Sequence, residues 1–298
     1  MTVHVLMPVF NRLELTQSML ECLRAQRVDE PLSILVVNDG STDGTAVFLN
    51  AQKTITVLEG DGSLWWGGSI DLALRHVLDF ASERDWVLLV NNDTKIERDF
   101  VQTLLDVARR HPAAAVGSVI RAVEPPHRLL SIGPRINPWR LRIEDFINDP
   151  PPWKMEKVVT VDALSGRGTL YPVSALRRQE GMRPRCLPHY LADYELSLRV
   201  RKAGWRLLVS TSAAVYSENV FGNAYRAPGL WDRLFSVRSP SYLPAQLCFW
   251  WTASNFTQRL TLPLRVGVRA LLSLRRSNLV AATTHSSGTL GSNNGLDK

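Results

Sequence analysis

The chain has 298 residues, 45% hydrophobic and 21% charged, enough to fill a large core and to exclude a globally disordered protein. Its three cysteines, Cys22, Cys186 and Cys248, are scattered without CxxC spacing; this points to a reducing compartment and argues against a disulfide framework or a thiolate metal site. The net charge of +7 is confined to one end: Arg233 to Leu296 holds seven arginines and no acidic residue, so residues 1–232 balance to zero.

The opening Met-Thr-Val-His-Val-Leu-Met-Pro enters a strand pattern without the basic and apolar regions of a secretory signal. No window reaches the ~18 apolar residues of a membrane-spanning helix. Val3 to Met7 predicts a strand that breaks at Pro8, and Leu15, Met19, Leu20 and Leu23 follow at helical spacing. Ser33 to Val37 is a second strand, ending in Asn38-Asp39-Gly40-Ser41, with Ser41 or Thr42 placed to cap the next helix. Thr54 to Leu58 is a third, running into Glu59-Gly-Asp61-Gly-Ser-Leu-Trp-Trp66-Gly67-Gly68 and a helix marked by Ile70, Leu74, Val77, Leu78 and Ala81.

Trp86 to Val90 is a run of five apolar residues that stops at Asn91-Asn92-Asp93-Thr94. So short a continuous run reads as a strand buried on both faces of a parallel sheet, and ligands of open α/β sheets sit beyond the carboxyl ends of such strands. The helix after it is expected to carry Glu97 near its start and to stop at Arg109-Arg110-His111 before Pro112. Ala113 to Ile120 is a fifth strand. Strand and helix alternating through short loops predict right-handed βαβ units and a mostly parallel α/β sheet flanked by helices.

The rhythm then fails. Residues 121–157 are rich in proline (Pro125, Pro126, Pro134, Pro138 and Pro150 to Pro152) and hold Trp139 and Trp153, which suits a lid or acceptor-side insertion. Val158 to Leu164 resumes as a strand and ends in Ser165-Gly166-Arg167-Gly168. Leu191 to Gly204 is a helix closed by its glycine, and Arg206 to Tyr216 is the last strand. The expected organisation is therefore a first half over 1–120, an insertion over 121–157, a second half of the same domain over 158–220, a basic helical region over 221–276 and a disordered tail over 277–298.

Three successive strand ends bring Asp39, Asp61 and Asp93 to one edge of the sheet, where they could line a nucleoside pocket and hold a divalent ion. No GxxxxGK[ST] or GxGxxG loop is present, so neither a P-loop nor a dinucleotide site is expected. Plainer readings stay open at each position. Asp39 can form an Asx-turn, Trp65 and Trp66 can be core, and Asp193 and Glu195 can complement a helix dipole. His189 reads as a loop residue beside a proline.

The ordered set of motifs resembles family 2 glycosyltransferases of the GT-A fold, of the polysaccharide- and rhamnosyl-transferring kind. It comprises Pro8-Val-Phe10-Asn11-Arg12, Val36-Val-Asn38-Asp39-Gly40-Ser41-Thr42-Asp43-Gly44, Asp61 to Gly68, Asn91-Asn92-Asp93 and Leu191-Ala-Asp193-Tyr-Glu195 through Trp205, spread over residues 3–220. The resemblance implies that Pro8, Phe10, Asn11 and Asp39 meet the nucleoside, with Asp61, Trp66 and Gly67 closing on it. Asn91-Asn92-Asp93 stands at the DxD-type motif, so an Asn would reach ribose and Asp93 would bind the Mg²⁺ or Mn²⁺ that bridges the diphosphate. Asp193 matches the catalytic base. Gly166, Arg167 and Glu195 fall on the sugar and acceptor side, with Arg167 suited to a phosphate.

Two departures bear on the metal. Many relatives carry a metal-binding His where this chain has Ser217, and the first position of the DxD-type motif is Asn91.

The expected activity is inverting transfer of a sugar from a UDP- or dTDP-sugar to a hydroxyl of a lipid-linked or cell-surface glycan, at the cytoplasmic face of a membrane. Arg259, Arg265, Arg269, Arg275 and Arg276 with interleaved Leu, Val and Trp suit peripheral contact of residues 242–276 with anionic lipid, although packing on the body or across a homodimer fits as well. No nucleic-acid motif accompanies the basic stretch, so nucleic acid is not an expected partner. A sugar nucleotidyltransferase is a rival, but Met7-Pro-Val-Phe-Asn11 lacks its glycine-rich phosphate loop. An inactive nucleotide-sugar-binding scaffold is the other.

Overall fold

The structure, a computed structural model, describes residues 1–148, 157–218, 225 and 227–269. The first half alternates as its periodicity predicts: β1 (Val3–Val9), α1 (Leu13–Arg24), β2 (Leu32–Asn38), α2 (Thr45–Asn50), β3 (Thr56–Glu59), α3 (Trp65–Phe80) and β4 (Trp86–Leu89). Next come β5 (Thr94–Ile96), α4 (Phe100–Arg110), β6 (Ala114–Ala122), β7 (Leu129–Ser131), β8 (Pro134–Asn137) and β9 (Arg142–Asp145). β10 (Val158–Thr160), β11 (Thr169–Pro172), α5 (Val173–Arg177), α6 (Ala192–Lys202) and β12 (Arg206–Ser217) follow. Then α7 (Leu230–Phe235), α8 (Leu243–Ala253), α9 (Phe256–Leu260) and a helical run over 262–269 lead out of the body.

The main sheet is ordered β3-β2-β1-β4-β11-β6-β12-β10. β1 to β4 are mutually parallel, as are β6 and β12, and β11 runs antiparallel between β4 and β6. This is the mostly parallel α/β sheet expected. Alternation along the strands sorts the core onto two faces. Leu6, Leu35, Val37, Val87 and Leu89 pack with α3, α6 and α8, while Val5, Met7, Val36 and Leu88 pack with α1 and α4.

Register sets the functional edge. Val9 lies opposite Asn38 and Asn38 opposite Glu59, while Leu6 lies opposite Leu89, so the carboxyl ends of β1 to β4 share one side. β11 enters from that same side, with Thr169 opposite Leu89 and the Gly168 N–H donating to the Leu89 carbonyl at 2.8 Å.

Several local expectations are corrected. Neither Ser41 nor Thr42 caps α2: Gly44, at φ 92°, is the N-cap, and Asp43 accepts from the Thr45 N–H instead. Glu97 precedes α4, because Thr94–Ile96 pairs with β12 as a strand before the helix can begin. The insertion is largely ordered, with β7 on β6 and a β8–β9 hairpin that returns its chain to the body. Its Pro150 to Pro152 and Trp153, like the tail expected over 277–298 and Arg275 and Arg276, lie outside the described residues. The strand expected over Val158 to Leu164 is only Val158–Thr160. The basic carboxyl-terminal region packs on the body through Phe249, Trp250, Leu262 and Val266.

Candidate active site

Polar residues in the loops after the first-half strands fix those loops. The Asp39 carboxylate, only 5% exposed, accepts from the Gly62 N–H at 2.9 Å and the Leu64 N–H at 3.3 Å through Oδ1, and from the Trp65 N–H at 2.9 Å through Oδ2. Three of its roughly four acceptor positions are thus spent on backbone. Asp39 therefore acts first as the clamp of the 60–65 loop, a stronger version of the turn role, and not as a free carboxylate awaiting a base. Asp61 is exposed, and its carboxylate is held below the usual range by the Ser63 hydroxyl and N–H.

Asn11 is also spent locally: its Oδ1 accepts from the Thr42 N–H and its own N–H donates to the Ser41 hydroxyl, each at 2.8 Å. Pro8 is half-buried at the end of β1, and Phe10 stands 56% exposed beside it, a ring free to stack on a ligand. Asn92 is buried and donates to the Thr16 hydroxyl at 3.0 Å, so it ties β4 to α1 and does not face the edge as expected.

Asn91 does face it, and Trp66 is its partner. The indole Nε1–H donates to Asn91 Oδ1 at 2.9 Å, and the ring covers Gly166, where a Cβ would drive into the indole. Gly67 is required for a similar reason, since its N–H donates to the Pro188 carbonyl at 2.7 Å and a Cβ would strike the Leu187 and Pro188 carbonyls. Trp66 is thus neither plain core nor a free ligand platform; it locks the donor-side motif to the 165–168 loop.

Gly166 passes the connection to Asp193. Its N–H donates to Asp193 Oδ2 at 2.8 Å, and the Tyr194 N–H donates to Oδ1 at 2.8 Å. Burial pushes the Asp193 carboxyl above its ordinary value, against these two amides and the nearby Arg167 guanidinium. A carboxylate with a raised pKa at a cleft edge has the proton affinity that a general base needs. Arg167 donates to the Ser217 hydroxyl at 3.3 Å, which puts a guanidinium beside the end of β12.

Glu195 departs from its expected acceptor role. It is 1% exposed, ion-paired with Arg183 and Arg199 at 3.0 Å, and accepts from the Thr252 hydroxyl at 3.0 Å. Two residues from the base along a helix is on another face, and that face meets α8.

His189, a loop residue by its sequence, lies against the 60–65 loop. Its ring is packed against Trp65 and Tyr190, its buried Nδ1 has no partner among the described residues, and burial and then Arg167 push its pKa down. The signal was the need of Gly67 for Pro188, which only the folded chain displays. Backbone strain gathers here too: Asn11, Arg12, Trp65 and Leu191 hold φ of 57°, 65°, 57° and 67°. Such clusters mark sites that must be held in shape.

Asp93 tests the metal expectation. Its Oδ2 pairs with Arg12 at 2.9 Å, while its Oδ1 is buried without a partner. No group of three His, Cys, Asp or Glu able to hold a metal occurs among the described residues. An orphaned hard oxygen fits a divalent cation that takes one protein carboxylate and completes its shell with diphosphate and water.

Comparison with known proteins bears on the family and the fold. The family model for glycosyl transferase family 2 matches residues 4–154. The N-acetylglucosaminyl-diphospho-decaprenol L-rhamnosyltransferase of Mycobacterium tuberculosis (strain ATCC 25618 / H37Rv) is 27% identical over 274 residues, 84% of this chain and 87% of that protein. Among solved structures, S. aureus TarS 1-349 in complex with UDP-GlcNAc is 18% identical with a TM-score of 0.54, over 76% of this chain and 62% of that one. This chain spans 37% of the length of the longer TarS structure. GalNAc-T7 with UDP, GalNAc and Mn²⁺ is 10% identical with a TM-score of 0.63, over 85% of this chain and 48% of that one. At such identities these structures establish the shared fold, and the family model, spanning half the chain, establishes membership: this protein belongs to glycosyl transferase family 2.

Proposed function

We propose that the protein transfers a sugar, with inversion, from a nucleoside-diphosphate sugar to a hydroxyl of a lipid-linked glycan. UDP and dTDP are the favoured donors. The observation that carries this reading is the connection Asp193–Gly166–Trp66–Asn91, two hydrogen bonds joined by the packing of the Trp66 indole on Gly166, which links a carboxylate of raised pKa to the donor-side motif. The rhamnosyltransferase relative supports a deoxyhexosyl donor and a polyprenyl-diphosphate-linked acceptor.

In the proposed reaction the acceptor oxygen attacks C1 of the sugar as Asp193 takes its proton. The new C1–O bond forms while the bond from C1 to the diphosphate breaks, and the diphosphate leaves with the electron pair. Arg167, beside Ser217, and Arg12, on Asp93, offer positive charge to that leaving group. Asp93, with its orphaned Oδ1, is the proposed ligand of a divalent cation, Mg²⁺ or Mn²⁺, which when bound would neutralise the diphosphate charge. Phe10 is placed to stack on the base, and the 60–65 loop held by Asp39 to close over it.

The setting proposed is a membrane face, where a lipid-linked acceptor resides; no helix of the described residues is long and apolar enough to cross a bilayer. The test is transfer from UDP- and dTDP-hexoses and deoxyhexoses to polyprenyl-diphospho-N-acetylglucosamine, read by mass spectrometry. Wild type should give a product one sugar heavier, and Asp193→Asn should lose about 10²–10⁴-fold in turnover while retaining nucleotide binding. Nucleotide binding with no transfer to any acceptor would instead favour an inactive scaffold.

A further inference from the structure

The carboxyl-terminal helices bury one face on the body and leave large apolar side chains on another. In residues 256–269, Gln258, Leu262 and Val266 are buried on the body. Phe256, Leu260, Leu264 and Val268 recur at the same spacing of four through α9 and the helical run after it, offset by two positions from the buried set. They are 76%, 70%, 72% and 47% exposed. The buried set explains the packing. The exposed one contributes nothing to it and leaves four large side chains in water.

What flanks this stripe identifies its partner. Arg259 lies over the ring of Trp251 at 5.0 Å, and Arg265 over the ring of Trp139, at the tip of the β8–β9 hairpin, at 5.2 Å. Trp251 and Trp139 are themselves 52% and 55% exposed. The Arg259 guanidinium also donates to the Trp251 carbonyl at 3.0 Å, and that of Arg265 donates to the carbonyls of Pro138, Trp139 and Gln258, so both heads are anchored beside these rings with no carboxylate partner among the described residues. No acidic residue occurs between Arg233 and Leu296, so nothing in this part of the chain offsets their charge. An apolar ridge bordered by indoles and unopposed arginines matches the boundary of a bilayer with anionic headgroups. A protein partner would need acidic groups round an apolar groove, and a second copy of this face would set arginines against arginines.

We infer that Phe256, Leu260, Leu264 and Val268, bordered by Trp251, Trp139, Arg259 and Arg265, form the surface by which this chain lies on an anionic lipid bilayer. The assignment supplies a surface for the membrane setting of the proposed function. It stands on its own observations, because lipid binding is read without donor, acceptor or turnover.

The experiment is co-sedimentation of the full chain with vesicles of phosphatidylcholine alone and with about a third phosphatidylglycerol. Wild type should bind the anionic vesicles and leave the neutral ones, and should be released by about 0.5 M salt. Leu260→Glu with Leu264→Glu should weaken binding at least about tenfold, with thermal midpoint and nucleotide binding unchanged, since both side chains are exposed. A readout that needs no folded charge variant is quenching of wild-type fluorescence by brominated phosphatidylglycerol, the quenched fraction falling in Trp251→Phe. The inference is overturned if wild type ignores anionic vesicles at low salt, or if the double substitution leaves binding intact. It is equally overturned if wild type is a dimer that does not bind lipid and the substitution makes it a monomer.

Discussion

At Asp193 folding and chemistry pull apart. Burial raises its pKa, so the folded chain holds the proton more tightly than the unfolded chain does. A folded pKa above the unfolded one contributes stability below the unfolded value and loses it as pH rises through the folded value. Wild type should therefore lose ground in thermal midpoint to Asp193→Asn as pH rises above 3.8, the ordinary carboxylate value. Activity should run the other way, falling as pH drops through the raised pKa, because a protonated Asp193 accepts nothing. A thermal midpoint and rate measured at each pH on both proteins check the two signs together. Gly166 makes a steric demand at the same spot. Gly166→Ala would push a Cβ into the Trp66 indole, and overpacking of this kind costs about 1–3 kcal/mol. Denaturant unfolding should show that loss, and turnover should fall further than it does in Trp66→Phe, which keeps the ring contact and loses only the bond to Asn91.

The elements differ in what they owe to sequence and what they owe to packing. β4 was legible because Trp86 to Val90 is apolar without a break and ends in amides, a signal carried by adjacent residues. β11 was not legible: Thr169-Leu-Tyr-Pro172 is four residues long, ends in proline, and is made a strand by β4 and β6 on its two sides. β5 misled for the same reason, its three residues drawn into pairing by β12 although they read as the start of a helix. Motif order placed the base and the donor side at one edge, but could not show that Asn92 turns away toward Thr16 or that His189 reaches the cleft. Glu195 shows the limit most clearly. In sequence it sits two places from Asp193; in the fold it ties α6 to α8 through Thr252 and is ion-paired with Arg183 and Arg199. Removing one partner of a buried ion network leaves charges unpaired, so Glu195→Ala should cost about 3 kcal/mol in chemical denaturation. The Kd for nucleotide should stay within the error of wild type; a large rise would return Glu195 to the substrate side.

Across the whole molecule, one sheet edge gathers the proposed donor motifs, the candidate cation ligand and the proposed base, while the carboxyl-terminal helices turn apolar side chains outward. The balanced charge of residues 1–232 and the seven arginines after them match the proposed division into a catalytic body and a surface for anionic lipid. Ligand-induced stabilisation probes the proposed donor site at this edge. A ligand that binds only the folded state stabilises it by RT ln(1 + [L]/Kd), about 2.7 kcal/mol at a hundredfold excess over Kd. Thermal midpoints should be measured with UDP, dTDP, GDP and CMP, each with and without Mn²⁺, on wild type and Asp93→Ala. The account predicts a rise with a pyrimidine diphosphate, enlarged by Mn²⁺ in wild type and indifferent to Mn²⁺ in Asp93→Ala. No rise with any nucleotide at saturation, in well-folded protein, would contradict the donor site at this edge.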